Sequence, residues 1–176
     1  MSRIQGRRRT IHIRKLTVED GEVLWTLRLR ALKDNPEAFA STYEETLRRG
    51  KEQFIHRLLP KEGAFYLGAF EPDLVGMVYF RRDEGIKNQH KAYILSMYVR
   101  PESRGLGIGK ALLQEVITQA KRLSGLEQLH LSVVTSNEAA RSLYRAMGFE
   151  VCGTILQAMK AGEQYWDEEL MVLRLQ

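Results

Sequence analysis

From residue 10 to 16 apolar and polar side chains alternate, Ile11 and Ile13 against His12 and Arg14, the pattern of a strand with one buried face. Thr17 and Asp20 then form a helix-start signature, N-cap and third helical position. Val23, Leu24, Leu27 and Leu32 recur at helical period, widened by Trp25, Leu29 and Ala31 and interrupted by Arg28, Arg30 and Lys33. That helix is expected to stop before Pro36. Residues 35–45 carry two aromatics and three acids and are expected either to line a substrate groove or to form a helical turn. Phe54, Ile55, Leu58 and Leu59 predict a second helix over 46–59, before Pro60.

Residues 64–70 and 74–80 read as strands joined by the turn Glu71-Pro72-Asp73, and 83–91 as a polar, flexible loop. Residues 92–99 are mostly apolar and aromatic, as in an interior strand. A turn over 100–103 leads to three alternating glycines, Gly105, Gly107 and Gly109. Leu112, Leu113, Val116, Ile117, Ala120 and Leu123 then mark a strongly amphipathic helix from Ile108, closed by Ser124-Gly125. A strand over 128–134 turns Leu129, Leu131 and Val133 one way and His130, Ser132 and Val134 the other. A short helix over 137–147, a strand over 149–156, a turn at 160–163 and a last strand over 170–175 complete the chain. The order predicts a single α/β domain over 10–176, a mixed sheet with helices on both faces, preceded by a basic tail over 1–9.

Composition narrows the class. Hydrophobic residues are 44% and charged residues 28% of the 176, which fits one globular domain and excludes disorder or fibre. No apolar run is long enough to cross a bilayer, so no membrane partner is expected. The basic N-terminus has no apolar stretch behind it and does not read as a secretory signal. Cys152 is the lone cysteine, expected as a buried thiol. It offers no disulfide framework and no metal cluster, so a reducing, cytoplasmic setting is expected and no metal. The net charge of +5, partly from Arg3, Arg7, Arg8 and Arg9, suits nucleic acid, an acidic surface, an anionic cofactor or plain solvation. No basic patch is interleaved with aromatics, so nucleic acid is not the expected partner. A homodimer through the terminal strands or helix faces remains open.

The glycines bare the backbone so that amides at a helix N-terminus can approach a phosphate; a tight turn is the alternative. Gly109-Lys110-Ala111 lacks the hydroxyl that a nucleoside-triphosphate loop presents to magnesium. A dinucleotide fingerprint belongs near the first strand, not in mid-chain. A different pyrophosphate ligand is therefore expected, with Arg104 and Lys110 supplying further positive charge.

Arg104-Gly105-Leu106-Gly107-Ile108-Gly109 resembles the acetyl-CoA loop of the GCN5-related N-acetyltransferases. Met97-Tyr98-Val99 followed by Pro101, the block Asn137 to Glu150, and the opening Ile13-Arg14-Lys15-Leu16-Thr17 with Asp20 are also similar to that family. The resemblance spans roughly residues 10 to 175. It implies an acetyltransferase fold, a mixed, mostly antiparallel twisted sheet in which the strand at 94–99 splays in a V from that at 128–134. It implies acetyl-CoA as cosubstrate, with the pantetheine arm against Met97 and Val99 and the pyrophosphate on the amides from Arg104 to Lys110. Asn137 resembles the residue that steadies the pantetheine arm, and Tyr144 the tyrosine facing the thioester sulfur. The implied reaction is direct attack of a primary amine. Backbone N–H groups around Tyr98 would stabilise the oxyanion and Tyr144 would act as general acid.

Many relatives carry a glutamate where this chain has Tyr93, so the base is sought among Glu44, Glu45, His90, His130 or ordered water. The acceptor is expected to be a small-molecule amine, attracted by acids among Glu37, Glu44, Glu45, Asp167 and Glu168. A protein or peptide amine is the alternative, and a non-catalytic acetyl-CoA sensor the rival class.

Overall fold

The structure is a computed structural model and describes residues 10–175, so the arginine tail lies outside the described residues. Seven strands form one sheet: β1 (His12–Lys15), β2 (Ala64–Phe70), β3 (Leu74–Arg82), β4 (Lys91–Val99), β5 (Gln128–Val134), β6 (Glu150–Ala161) and β7 (Gln164–Arg174). Their order is β1-β2-β3-β4-β5-β7-β6. Every neighbouring pair is antiparallel except β4 and β5, which run parallel because a helical crossover joins them.

Helices cover both faces. On one lie α1 (Gly21–Asp34), α2 (Tyr43–Arg49) and α3 (Lys51–Ile55); on the other lies α4 (Ile108–Lys121), with α5 (Glu138–Ala146) beside it. Alternation along the strands feeds two cores. Leu67, Ala69, Val78, Phe80 and Ile94 pack with Leu112, Val116 and Tyr144. Tyr66, Leu74, Met77 and Tyr98 pack with Leu24, Leu27, Ala31 and Phe54. Among the described residues no helix is long and apolar enough to cross a membrane.

Three expectations change. The helix expected over 46–59 is broken at Gly50, whose φ of 88° a helix cannot accommodate. It starts earlier, at Tyr43, where Thr42 and Glu45 exchange reciprocal cap bonds of 3.1 and 3.0 Å. The turn at 160–163 joins two long strands, so Tyr165 to Glu168, which lie before the strand expected over 170–175, belong to β7. Cys152 is exposed, not buried: β6 is the sheet edge, and its Sγ reaches only the Leu170 carbonyl, 3.4 Å away.

Candidate functional site

β4 and β5 pair only at Lys91–Gln128, Ala92–Leu129 and Tyr93–His130, and from Ile94 they part. Each stays paired on its far side, β4 with β3 as far as Val99 and β5 with β7 as far as Val134. The inner edges are therefore left without a strand partner, and their backbone donors and acceptors border a V-shaped split.

A bulge in β4 aims those groups. Tyr98 stands opposite Met77 and Leu95 opposite Tyr79, so Ser96 and Met97 together oppose Val78, with Ser96 at φ 54°. The extra residue shifts the strand's phase. Ala92 and Ile94 face α4, yet Tyr98 packs on the α1 side while Met97 and Val99 pack with α4. Beyond the bulge, the Arg100 N–H donates to the Val75 carbonyl at 2.8 Å. Ladder alternation then turns the Tyr98 amide toward β3 and directs the backbone of Met97 and Val99 into the split. Of the backbone N–H groups expected around Tyr98 to meet an oxyanion, those of Met97 and Val99 border the split, and that of Tyr98 itself does not. Its side chain is occupied as well: the phenol donates to Asp34 Oδ2 at 2.5 Å. Burial, and then Asp34, hold its pKa well above the ordinary tyrosine value.

The split opens into a cavity of about 740 Å³. At one end lies the glycine loop. Gly105 and Gly107 have φ 76° and 77°, and a Cβ placed on either would meet nothing within 4 Å. Both line the cavity at the start of α4, where the first-turn amides that have no partner within the helix make a donor set suited to phosphate oxygens. Gly109 answers a different need, since a Cβ there would come within 3.3 Å of Leu143 on α5 and 3.5 Å of Met97. Arg104 donates to the Val99 carbonyl at 3.0 Å and to Asn35 Oδ1 at 2.8 Å. Among the described residues no acid forms an ion pair with Arg104 or Lys110, so both present uncompensated positive charge. All expected loop residues line the cavity except Leu106, which is exposed.

Asn137 and Tyr144 stand across the split and also line the cavity. Asn137 caps α5 by accepting the Ala140 N–H at 3.2 Å, and its amide nitrogen makes no hydrogen bond among the described residues. Tyr144 is 7% exposed and meets Phe149 edge-on, with ring centroids 6.0 Å apart. Its hydroxyl makes no hydrogen bond within the described residues, and burial pushes its pKa up to about 12. Arg141 holds α5 against β7 through a bidentate pair with Glu169, at 2.6 and 3.0 Å.

The far end departs from expectation. Of the acids expected to attract an amine, Glu168 lines the cavity; Glu37, Glu44, Glu45 and Asp167 do not. Glu45 caps α2, and Asp167 accepts the Gln157 N–H at 2.7 Å. Among the base candidates, neither His90 nor His130 reaches it. His130 sits below the split, bonded to Gln128 at 2.9 Å, and burial lowers its pKa first, Lys91 and His90 next. Sequence reasoning missed the arginines in this wall, Arg28, Arg57 and Arg81. One signal was present: Arg28 occupies a core position in the stripe Leu24, Leu27, Ala31, Leu32.

The sequence profile of the acetyltransferase (GNAT) family matches residues 28–149. An N-alpha-acetyltransferase of Sulfurisphaera tokodaii is 32% identical over 104 residues, 55% of this chain and 62% of that protein. The first curated relatives are matched over only 46% to 62% of their own length. A GNAT-family acetyltransferase structure from Streptococcus pneumoniae superposes with a TM-score of 0.83 at 23% identity, over 94% of this chain and 99% of that one. A Salmonella typhimurium protein, yncA, solved with its cofactor acetyl-CoA, gives 0.77 at 22% identity over 95% of each chain.

Proposed function

The chain belongs to the acetyltransferase (GNAT) family, and we propose that it moves an acetyl group from acetyl-CoA to the primary amine of a small molecule by direct attack. The observation that carries this reading is the split between β4 and β5, opening beside the glycine loop with Tyr144 in its wall. Bound acetyl-CoA supplies an activated thioester. The loop amides from Arg104 to Lys110 hold its pyrophosphate, with Lys110 and Arg104 adding charge. The exposed edge of β4 at Met97 and Val99 and the free amide of Asn137 align the pantetheine arm. The Met97 N–H, at the bulge, polarises the carbonyl under attack.

Tyr144 donates its proton to the departing sulfur. Its raised pKa keeps the hydroxyl protonated across the working range, and the same burial raises the affinity of the leaving thiolate for that proton. Glu168 is the sole carboxylate among the described residues lining the cavity, so it receives the amine's proton directly or through water. Titration with acetyl-CoA should show saturable binding, and an amine panel should yield free CoA with an acetylated product by mass spectrometry. Absence of acetyl-CoA binding would overturn the reading, and binding without product from any amine would leave a sensor in its place.

A further inference from the structure

The acceptor end of the cavity holds three arginines, Arg28, Arg57 and Arg81, that make no ion pair among the described residues. Arg28 is 8% exposed, its Nη1 is buried without a hydrogen-bond partner, and its guanidinium lies 4.7 Å from the Phe39 ring centroid. Burial lowers its pKa, and Arg57 lowers it further. Arg28, Ser41 and Arg57 line both the large cavity and a smaller one of about 30 Å³ beside it, roomy enough for a water molecule or a small anionic group. The buried Tyr66 hydroxyl lies beside both arginines, close enough for the charge of Arg57 and then of Arg28 to act on it. Among the described residues no carboxylate forms an ion pair with Arg28, Arg57 or Arg81.

A guanidinium taken out of water without a counter-charge is costly, and a second cation beside it adds repulsion. The arrangement becomes favourable when an anion enters, because the guanidinium fork matches a planar oxyanion and both charges are then satisfied. A polyamine would instead bring further cations to a wall that already carries them.

We propose that Arg28 and Arg57 form an oxyanion subsite, and that the acceptor is an amine that also carries a carboxylate or a phosphate. This rests on reading the cavity as an acetyl-transfer site. The anion anchors the far end of the acceptor and leaves its amino group directed toward the split.

The test has two arms. The first titrates the protein with acetate, succinate and inorganic phosphate and follows bound anion by calorimetry, in the wild type, in Arg57→Gln and in Gly107→Glu, which closes the loop's own phosphate site. Saturable binding that persists in Gly107→Glu is expected, with Arg57→Gln removing the carboxylate site and any phosphate bound outside the loop, and the stronger anion in Gly107→Glu distinguishes carboxylate from phosphate. Equal binding in wild type and Arg57→Gln, or no binding of any of the three, overturns the subsite. The second arm compares matched acceptors, phenylalanine with phenethylamine and phosphoethanolamine with ethylamine. The oxyanion-bearing member of at least one pair should be favoured on the order of a hundredfold in kcat/KM, and Arg57→Gln should collapse that ratio. Preference for the bare amine in both pairs counts against the proposal. Arg28→Met should abolish anion binding too; if that buried variant does not fold, Arg57→Gln decides. Failure of acetyl-CoA to bind would strike the acetyl-transfer reading while leaving the anion titration to judge the subsite.

Discussion

At the loop end of the cavity the groups proposed to meet the ligand are backbone amides from one short stretch, Arg104 to Lys110. At the acceptor end they are side chains drawn from α1, from the turn after α3 and from β3. The loop end sits where a helix begins, and its glycines are open at positive φ. The acceptor end depends on charges held near one another against their repulsion. Backbone sites of the first kind tolerate change in surrounding side chains but not in the glycines. Sites of the second kind can be retuned by single substitutions, which lets one scaffold serve different acceptors.

The sharpest way to separate the ends is Gly107→Glu. It puts a side chain on a left-handed residue, at about 1–2 kcal/mol, and a carboxylate where phosphate is expected. Acetyl-CoA titration should show no binding, while circular dichroism stays native and anion binding at Arg57 persists. Retained acetyl-CoA affinity in the folded variant would remove the loop as the pyrophosphate site. Arg57→Gln should do the reverse, losing the oxyanion and keeping acetyl-CoA.

Tyr144→Phe should lower kcat on the order of a hundredfold with little change in acetyl-CoA affinity. It should cost little stability, since the lost hydroxyl has no partner among the described residues. With its pKa at about 12, Tyr144 should cause no fall in rate below about pH 10. Turnover unaltered by the substitution would exclude Tyr144 as the acid.

A smaller effect lies between the ends. Tyr98→Phe cuts the tie to Asp34 and should cost about 1 kcal/mol in denaturant unfolding. The Tyr98 pKa is raised on folding, so its contribution is present below the unfolded tyrosine value of about 10 and is lost as pH rises beyond it. The wild type should therefore lose more stability than Tyr98→Phe between pH 9 and 11. Parallel curves would show that the bond contributes nothing.

The loop, its helix and the Asn137–Tyr144 block were legible because each is a local pattern: glycine spacing, helical period, a capping residue. The mixed sheet with helices on both faces followed from the same patterns, and the splay of 94–99 from 128–134 from the family resemblance. Other features were not legible. The bulge at Ser96 leaves no mark on the alternation of 92–99, yet it reverses which residues face the split and takes the Tyr98 amide away from it. Cys152 sits among apolar residues in the sequence, but β7 inserts between β5 and β6 and leaves its strand at the edge. The acids of 37–45 were read as acceptor contacts from composition alone, and Glu45 is spent on a helix cap.

What the sequence by itself determined is most of the elements and the glycine loop at the start of α4, since these depend on residues within a turn or two of one another. Only the tertiary structure decided what the acceptor meets. Arg28, Arg57 and Arg81 lie on separate elements, and their convergence depends on how α1 and the turn after α3 pack against the sheet. Hydropathy marked Arg28 only as an interruption in a stripe. Burial, with no carboxylate among the described residues paired to it, is what makes that interruption the proposed place for a negative charge.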